Sequence, residues 1–302
     1  MVELVVISGK GGTGKTSILG AFAALASRKV LCDADVDAAD LHLLLSPRIG
    51  EREGFWAGYK AFIQPESCIR CGECRKKCRF EAVSEEFVVD EMLCEGCGVC
   101  AYFCPEGAVD MRPNLCGEWF VSDTRHGPLV HARLGIAEEN SGKLVSLVRK
   151  QARRVAEEKG LDMILTDGPP GIGCPVIAAV GGATAVLIVA EPTVSGHHDL
   201  ERAAGLARGF HVPVLVCVNK ADLHPPSADS IEQWCRGHGH QFVGRLPFDP
   251  VFTRAQLVGK TILEHGDGPA RTAVMELWDQ VRSFLGSGLQ PSFDREAFSG
   301  KS

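Results

Sequence analysis

With 302 residues, 45% of them hydrophobic, and a formal net charge of -6, the chain has enough apolar material for one large domain or two. That charge excludes non-specific nucleic-acid binding as the main task, and no apolar run reaches the roughly 20 residues that span a bilayer. No leader-like segment precedes the first apolar run, so a cytoplasmic setting is expected, where 13 cysteines point to thiol chemistry other than disulfides.

In chain order, Leu4-Val5-Val6-Ile7 predicts a strand and Ser17 to Ala26 a helix, with Ser8 to Thr16, SGKGGTGKT, between them. Gly9, Gly14, Lys15 and Thr16 fit G-x-x-x-x-G-K-[ST], a loop whose backbone amides converge on phosphate oxygens at a helix N-terminus. The phosphate-binding set is therefore Gly11, Gly12, Thr13, Gly14, Lys15, Thr16 and Ser17. Lys15 reaches the β- and γ-phosphates and Thr16 offers its hydroxyl to Mg²⁺. Val30-Leu31-Cys32 predicts a second strand ending in Asp33-Ala34-Asp35, carboxylates suited to holding Mg²⁺-bound water or orienting the attacking water. Asp37 and Asp40 read as charges at a helix N-terminus, and residues 46–61, with Gly50, Gly54 and Gly58, as a connector.

Composition then changes. C-I-R-C-G-E-C-R-K-K-C from Cys68 and C-E-G-C-G-V-C-A-Y-F-C-P from Cys94 are both C-x₂-C-x₂-C-x₃-C, the bacterial ferredoxin spacing in which the fourth cysteine ligates the other cluster. Cys68, Cys71, Cys74 and Cys104 are thus assigned to one [4Fe-4S] centre, and Cys78, Cys94, Cys97 and Cys100 to a second. Zinc is the competing reading of C-x-x-C pairs, and two complete four-cysteine runs in tandem weigh against it. The first run ends Cys78-Arg79 where the second ends Cys104-Pro105, which puts the backbone after Cys78 in question. The basic cluster Arg70, Arg75, Lys76, Lys77 and Arg79 reads equally as a potential-raising or partner-receiving patch and as a solvated charged face.

Beyond it, Glu118–Val121 and Leu129–Ala132 predict short strands around a turn at Gly127-Pro128, and Ser141 to Lys159 a helix with Leu144, Leu147, Val148 and Val155 in helical rhythm. Met163-Ile164-Leu165 leads to Asp167, a carboxylate placed to bind Mg²⁺ through water beside the phosphate loop. Cys174 reads as a small buried residue. Ala185–Val189 and Val214–Val218 are unbroken apolar runs alternating with a helix from His197 to Phe210, the pattern of a mostly parallel sheet. His197-His198 and His238-Gly239-His240 read as surface or capping histidines. Ala273 to Leu285 predicts a helix with a core-facing stripe.

These motifs together resemble the MinD/ParA/Mrp and nitrogenase iron protein superfamily of P-loop ATPases, whose deviant phosphate loop carries an extra lysine, here Lys10. The resemblance implies an α/β fold with a mostly parallel sheet, ATP and Mg²⁺ as cofactors, and an inserted α+β bacterial ferredoxin-like domain holding two [4Fe-4S] clusters. The expected divisions are 1–61 and 113–286 for the ATPase, 62–112 for the insert and 287–302 for a tail. By the same resemblance Lys10, Lys15 and Asp35 are catalytic, with Lys10 contacting phosphate across a nucleotide-sandwiched dimer; Asp33 and Asp167 join Thr16 around Mg²⁺, and the Gly168–Gly171 loop is switch II. Asn219 reads adenine and Pro247 lies in the loop that closes over the base. Cys174 stands near where the nitrogenase iron protein bridges a cluster between subunits. The tail lacks the basic amphipathic anchor of MinD proteins, so no stable membrane attachment is expected.

The function expected is nucleotide-dependent dimerisation, as a homodimer or paralogue heterodimer, coupled to electron transfer to a redox protein. The alternatives are an Mrp-type iron–sulfur cluster carrier serving an acceptor protein, against which Cys217 and Cys235 form no C-x-x-C, and a positioning ATPase with structural clusters.

Overall fold

The computed structural model describes residues 1–135 and 141–286. Among these, nine strands form one sheet: β1 (Val2–Ser8), β2 (Lys29–Asp33), β3 (Arg48–Ile63), β4 (Val109–Thr124), β5 (Gly127–Leu134), β6 (Met163–Pro170), β7 (Ala185–Ala190), β8 (Val214–Val218) and β9 (Gln241–Arg245). Their order is β3-β4-β5-β2-β6-β1-β7-β8-β9. Every neighbouring pair from β5 to β9 is parallel, and the β3–β4 and β4–β5 pairs are antiparallel.

The helices are α1 (Lys15–Leu25), α2 (Leu41–Leu45), α3 (Glu73–Lys77), α4 (Val99–Tyr102), α5 (Ser141–Glu158), α6 (Cys174–Val180), α7 (Val194–Gly209), α8 (Pro225–Gly237), α9 (Val251–Leu257), α10 (Ile262–His265) and α11 (Pro269–Gly286). The sheet is covered on both faces because successive side chains of a strand alternate in direction. Val5 and Ile7 pack with α5, α6, α7 and α8 on one face, and Leu4 and Val6 with α1, α2, α10 and α11 on the other. Parallel strands place all their C-terminal ends along one rim, and the loops there carry the chemistry.

The segment expected to be a connector is instead β3, 16 residues long, paired with the equally long β4 from Arg48↔Asp123 to Ile63↔Val109. At roughly 3.3 Å per residue such a hairpin reaches about 50 Å. Only its base lies in the sheet, since β4 pairs with β5 from Gly117 to Thr124 and not beyond. The distal half leaves the sheet and carries the two cysteine runs between its strands, around a third small core of Ala61, Ile63, Ala82, Val83 and Val109. Both strands run straight through the boundaries expected at 61/62 and 112/113. The β4–β5 turn falls at Arg125-His126, because Gly127 and Pro128 already pair with Thr124 and Asp123.

Candidate nucleotide and iron–sulfur sites

The phosphate loop runs from the end of β1 into α1. Gly12 and Gly14 adopt φ of 77° and 92°, and Gly14 occupies the N-cap of α1 with no side-chain cap, so the helix amides stay open to an anion. A Cβ on Gly14 would stand 2.5 Å from Asn219 Nδ2, which is why that position needs glycine. An open cavity of 1170 Å³ begins at this loop and is lined by Lys15, Thr16, Asp35, Pro170, Asn219, Lys220, Pro247 and Phe248, among others. The predicted base-side residues Asn219 and Pro247 thus share a cavity with the predicted phosphate-side residues. Asn219 Nδ2 donates to Thr13 O at 2.7 Å, tying the loop after β8 to the phosphate loop.

At the floor, Lys15 Nζ lies 2.6 Å from Asp35 Oδ2 and 3.6 Å from Asp167 Oδ1. Burial works against this ammonium, but Asp167 and Asp35 raise its pKa on balance, so Lys15 stays charged. Thr16 Oγ1 donates to Asp167 Oδ2 at 2.6 Å. Burial, and Asp167 beyond it, pushes Asp33 well above the usual carboxylate range; burial likewise raises Asp167. Asp167 Oδ1 is buried with no hydrogen-bond partner. Three carboxylates facing one ammonium leave an excess of buried negative charge, which a divalent cation would relieve. Thr16 and Asp167 are therefore the pair that fits Mg²⁺.

Asp33 departs from expectation. Its two oxygens accept from the backbone amides of Asp35, at 3.2 Å, and Leu41, at 3.1 Å, and it is fully buried. It fixes the loop that presents Asp35 instead of facing the cavity. Asp40 stands at the N-cap of α2 without a side-chain cap bond. Cys174, expected to be buried, is exposed, because it opens α6 just after the Gly168–Gly171 loop. The far wall of the cavity, Phe248, Asp249, Phe252 and Gln256, carries no sequence motif; only the neighbouring Pro247 marks it.

The cysteines separate into two sets. One cavity of 320 Å³ is lined by Cys68, Cys71, Cys74 and Cys104, another of 360 Å³ by Cys78, Cys94, Cys97 and Cys100. The two runs repeat in backbone as in sequence: positive φ recurs at Arg70 and Gly96, at Gly72 and Gly98, and at Glu81 and Gly107. The amides of Glu81 and Gly107 each donate to a run's fourth cysteine, Cys78 O and Cys104 O, at 3.3 Å. Arg79 in place of proline therefore leaves the turn after Cys78 unchanged.

Burial raises the Cys74 thiol, with Cys68, Cys71 and Cys104 adding to it, and burial raises Cys100 beside Cys94 and Cys97. Four thiolates gathered in an apolar pocket repel one another until cationic iron compensates them, so the donor sets suit iron–sulfur clusters. Among the described residues, no three His, Cys, Asp or Glu side chains close on a point as they would around a single ion. Ala61 N donates to Cys94 Sγ at 3.5 Å and Lys60 Nζ to Cys94 O at 2.8 Å, so one set is bonded directly to β3. Three of the basic residues beside the first run are engaged locally: Arg75 pairs with Glu85 at 2.7 Å, and Lys77 and Arg79 lie over the rings of Phe103 and Phe80. The histidines expected to act locally gather around Trp234, against which His197, His238 and His240 pack.

Residues 87–110 match the 4Fe-4S binding domain family. An uncharacterized protein of Methanocaldococcus jannaschii, MJ0578, is 29% identical over 293 residues, 94% of this chain and 98% of its own. An iron-sulfur cluster carrier protein of Pyrococcus abyssi is 27% identical over 154 residues, 46% of this chain and 52% of its own. The septum site-determining protein MinD of Pyrococcus horikoshii, solved with Mg-ADP, superposes with a TM-score of 0.59 at 15% identity, covering 96% of this chain and 99% of that one. The chain thus has the fold of the MinD ATPases and is similar over about half of its length to iron-sulfur cluster carrier proteins. Its phosphate loop and parallel sheet are those of a P-loop ATPase fold, and the segment matching the 4Fe-4S binding family lies between the distal ends of the β3–β4 hairpin. No helix among the described residues is long and apolar enough to cross a membrane. The tail at 287–302, where a MinD-type anchor was looked for, lies outside the described residues.

Proposed function

We propose that this ATPase holds two [4Fe-4S] clusters, one in each four-cysteine cavity, and couples Mg-ATP-driven dimerisation to electron transfer through them. The observation that carries the reading is continuity. The cysteines ride on a hairpin whose base is hydrogen-bonded through β5 to β2, the strand that presents Asp33 and Asp35. The redox module is taken as 62–112, joined without a break to an ATPase of 1–61 and 113–286 by the two strands of the hairpin.

In the free chain Lys15 is held by Asp35; triphosphate draws Lys15 to its β- and γ-oxygens and frees Asp35 to orient water, while Thr16 and Asp167 hold Mg²⁺. Lys10 reaches the phosphate bound by a second copy or a paralogue. Asn219 meets the base, and Pro247 and Phe248 cover it. The clusters supply one-electron chemistry. Each donor set is complete within one chain, and both pack against the one small core of the hairpin module, as suits resident clusters that pass electrons on rather than clusters in transit.

Likeness to an iron-sulfur cluster carrier protein over about half of the chain favours a second reading, delivery of a cluster to an acceptor. The two are separated by reducing anaerobically purified protein with dithionite, removing the excess reductant, and incubating it, with Mg-ATP, with an apo-ferredoxin and separately with an oxidised one-electron acceptor. Electron transfer predicts about eight iron and eight sulfide retained per chain and reduction of the acceptor. Transfer of iron and sulfide to the apo-protein, with no reduction of the acceptor, overturns it.

A further inference from the structure

Lys10 does not line the nucleotide cavity. It lies in the adjoining small pocket with Gly9, Thr13, Glu191 and Asp199, and its Nζ is 2.8 Å from Glu191 Oε2. Glu191 is held in place from its own side of the loop: Thr193 N donates to Glu191 O at 2.8 Å, and the Thr193 hydroxyl caps α7 by accepting from Gly196 N. The same carboxylate, 12% exposed, also takes Lys220 Nζ at 2.5 Å, and that amine bonds Gly12 O at 3.2 Å.

We propose that Glu191 is a latch on Lys10, keeping its ammonium out of the phosphate path in the single chain and yielding it when a second nucleotide-loaded copy docks. This rests on the reading that Lys10 reaches across a dimer. Lys220 makes the latch reversible. Breaking a half-buried ion pair is costly chiefly because it strands the remaining charge, and here the carboxylate left behind keeps its second lysine. The departing ammonium exchanges one anion for a more highly charged one. Glu191 is thus a positioning residue for the ATPase reaction, acting through Lys10 and touching no substrate.

The test is sedimentation velocity of the full chain across a titration of a non-hydrolysable ATP analogue with Mg²⁺. Nucleotide affinity of the single chain is measured in parallel as a control for folding. Glu191→Gln should dimerise at roughly 3- to 10-fold lower analogue concentration than wild type, with single-chain affinity unchanged. Glu191→Asp, with a retracted carboxylate, should shift the same way by less. Lys10→Ala should lose the dimer, and adding Glu191→Gln to it should restore nothing. A wild-type chain that dimerises while Glu191→Gln needs as much analogue or more overturns the latch alone. A wild-type chain that stays monomeric under saturating analogue overturns the latch and the dimer reading together.

Discussion

Lys15, Asp35 and Asp167 form a buried ionic set with more carboxylate than ammonium, and replacing Asp35 or Lys15 predicts different losses. Asp35→Asn keeps a group of the same size but removes the carboxylate proposed to orient water, so ATP turnover should fall by about 10²- to 10⁴-fold while nucleotide still binds and dimers accumulate; steady-state hydrolysis with sedimentation checks both. Lys15→Ala removes the one ammonium among Asp33, Asp35 and Asp167. It should abolish binding of a fluorescent ATP analogue and lower the denaturation midpoint, since an unpaired buried carboxylate costs about 3–5 kcal/mol. These residues were legible because each belongs to a local pattern, the glycine loop or a carboxylate at a strand end. The orientation of Asp33 was not, since D-x-D does not say which carboxylate turns to the backbone. Glu191 was invisible because its partner Lys10 is 181 positions away, and Cys174 misled because cysteine is usually buried, whereas the start of a short surface helix exposes it.

The cysteine loops and the hairpin show opposite degrees of legibility among elements. Each four-cysteine cavity takes three thiols from one loop of seven residues and its fourth from the other run, the partition that the spacing alone predicts. The cavities predict paired phenotypes. Cys71→Ala and Cys104→Ala should each cost about half the iron and leave the same residual paramagnetic spectrum, and Cys97→Ala and Cys78→Ala the other. Residual spectra that group instead by run, Cys71 with Cys78, would contradict the partition. The first half of β3, by contrast, reads Arg48-Ile49-Gly50-Glu51-Arg52-Glu53-Gly54, an edge with charges on both sides and no apolar alternation, so nothing local marks that half as a strand.

His131 on β5 is buried at the base of this hairpin, beside Ser122 Oγ at 3.0 Å. Burial pushes its pKa down to about 4, with His42 adding to it. The unfolded chain binds that proton more readily, so the contribution of neutral His131 to stability is complete above about pH 6.5 and is lost as pH falls towards 4. In a histidine NMR titration its ring signals should stay constant from about pH 7.5 to 5, and movement in that range would contradict the buried neutral ring.

At the scale of the whole molecule, a nine-stranded sheet sets the phosphate loop near its middle and the cysteine module on an extension of one edge. The parallel half was readable from unbroken apolar runs such as Ala185–Val189; the antiparallel edge joining the two centres was not, since pairing between residues as distant as Arg48 and Asp123 leaves no local trace. If that ladder transmits the nucleotide state, flexible glycine–serine inserts at Gly58 and Asn114 should leave ATP turnover within about twofold of wild type while abolishing any nucleotide effect on the clusters.

The most direct measurement is an anaerobic redox titration followed by electron paramagnetic resonance, in saturating Mg-ATP analogue and in Mg-ADP. Coupling predicts a nucleotide-dependent shift of at least one cluster's midpoint by about 60 mV, a tenfold change in a one-electron equilibrium. Identical midpoints and line shapes in the two nucleotides, with dimer formed in the analogue, would contradict it.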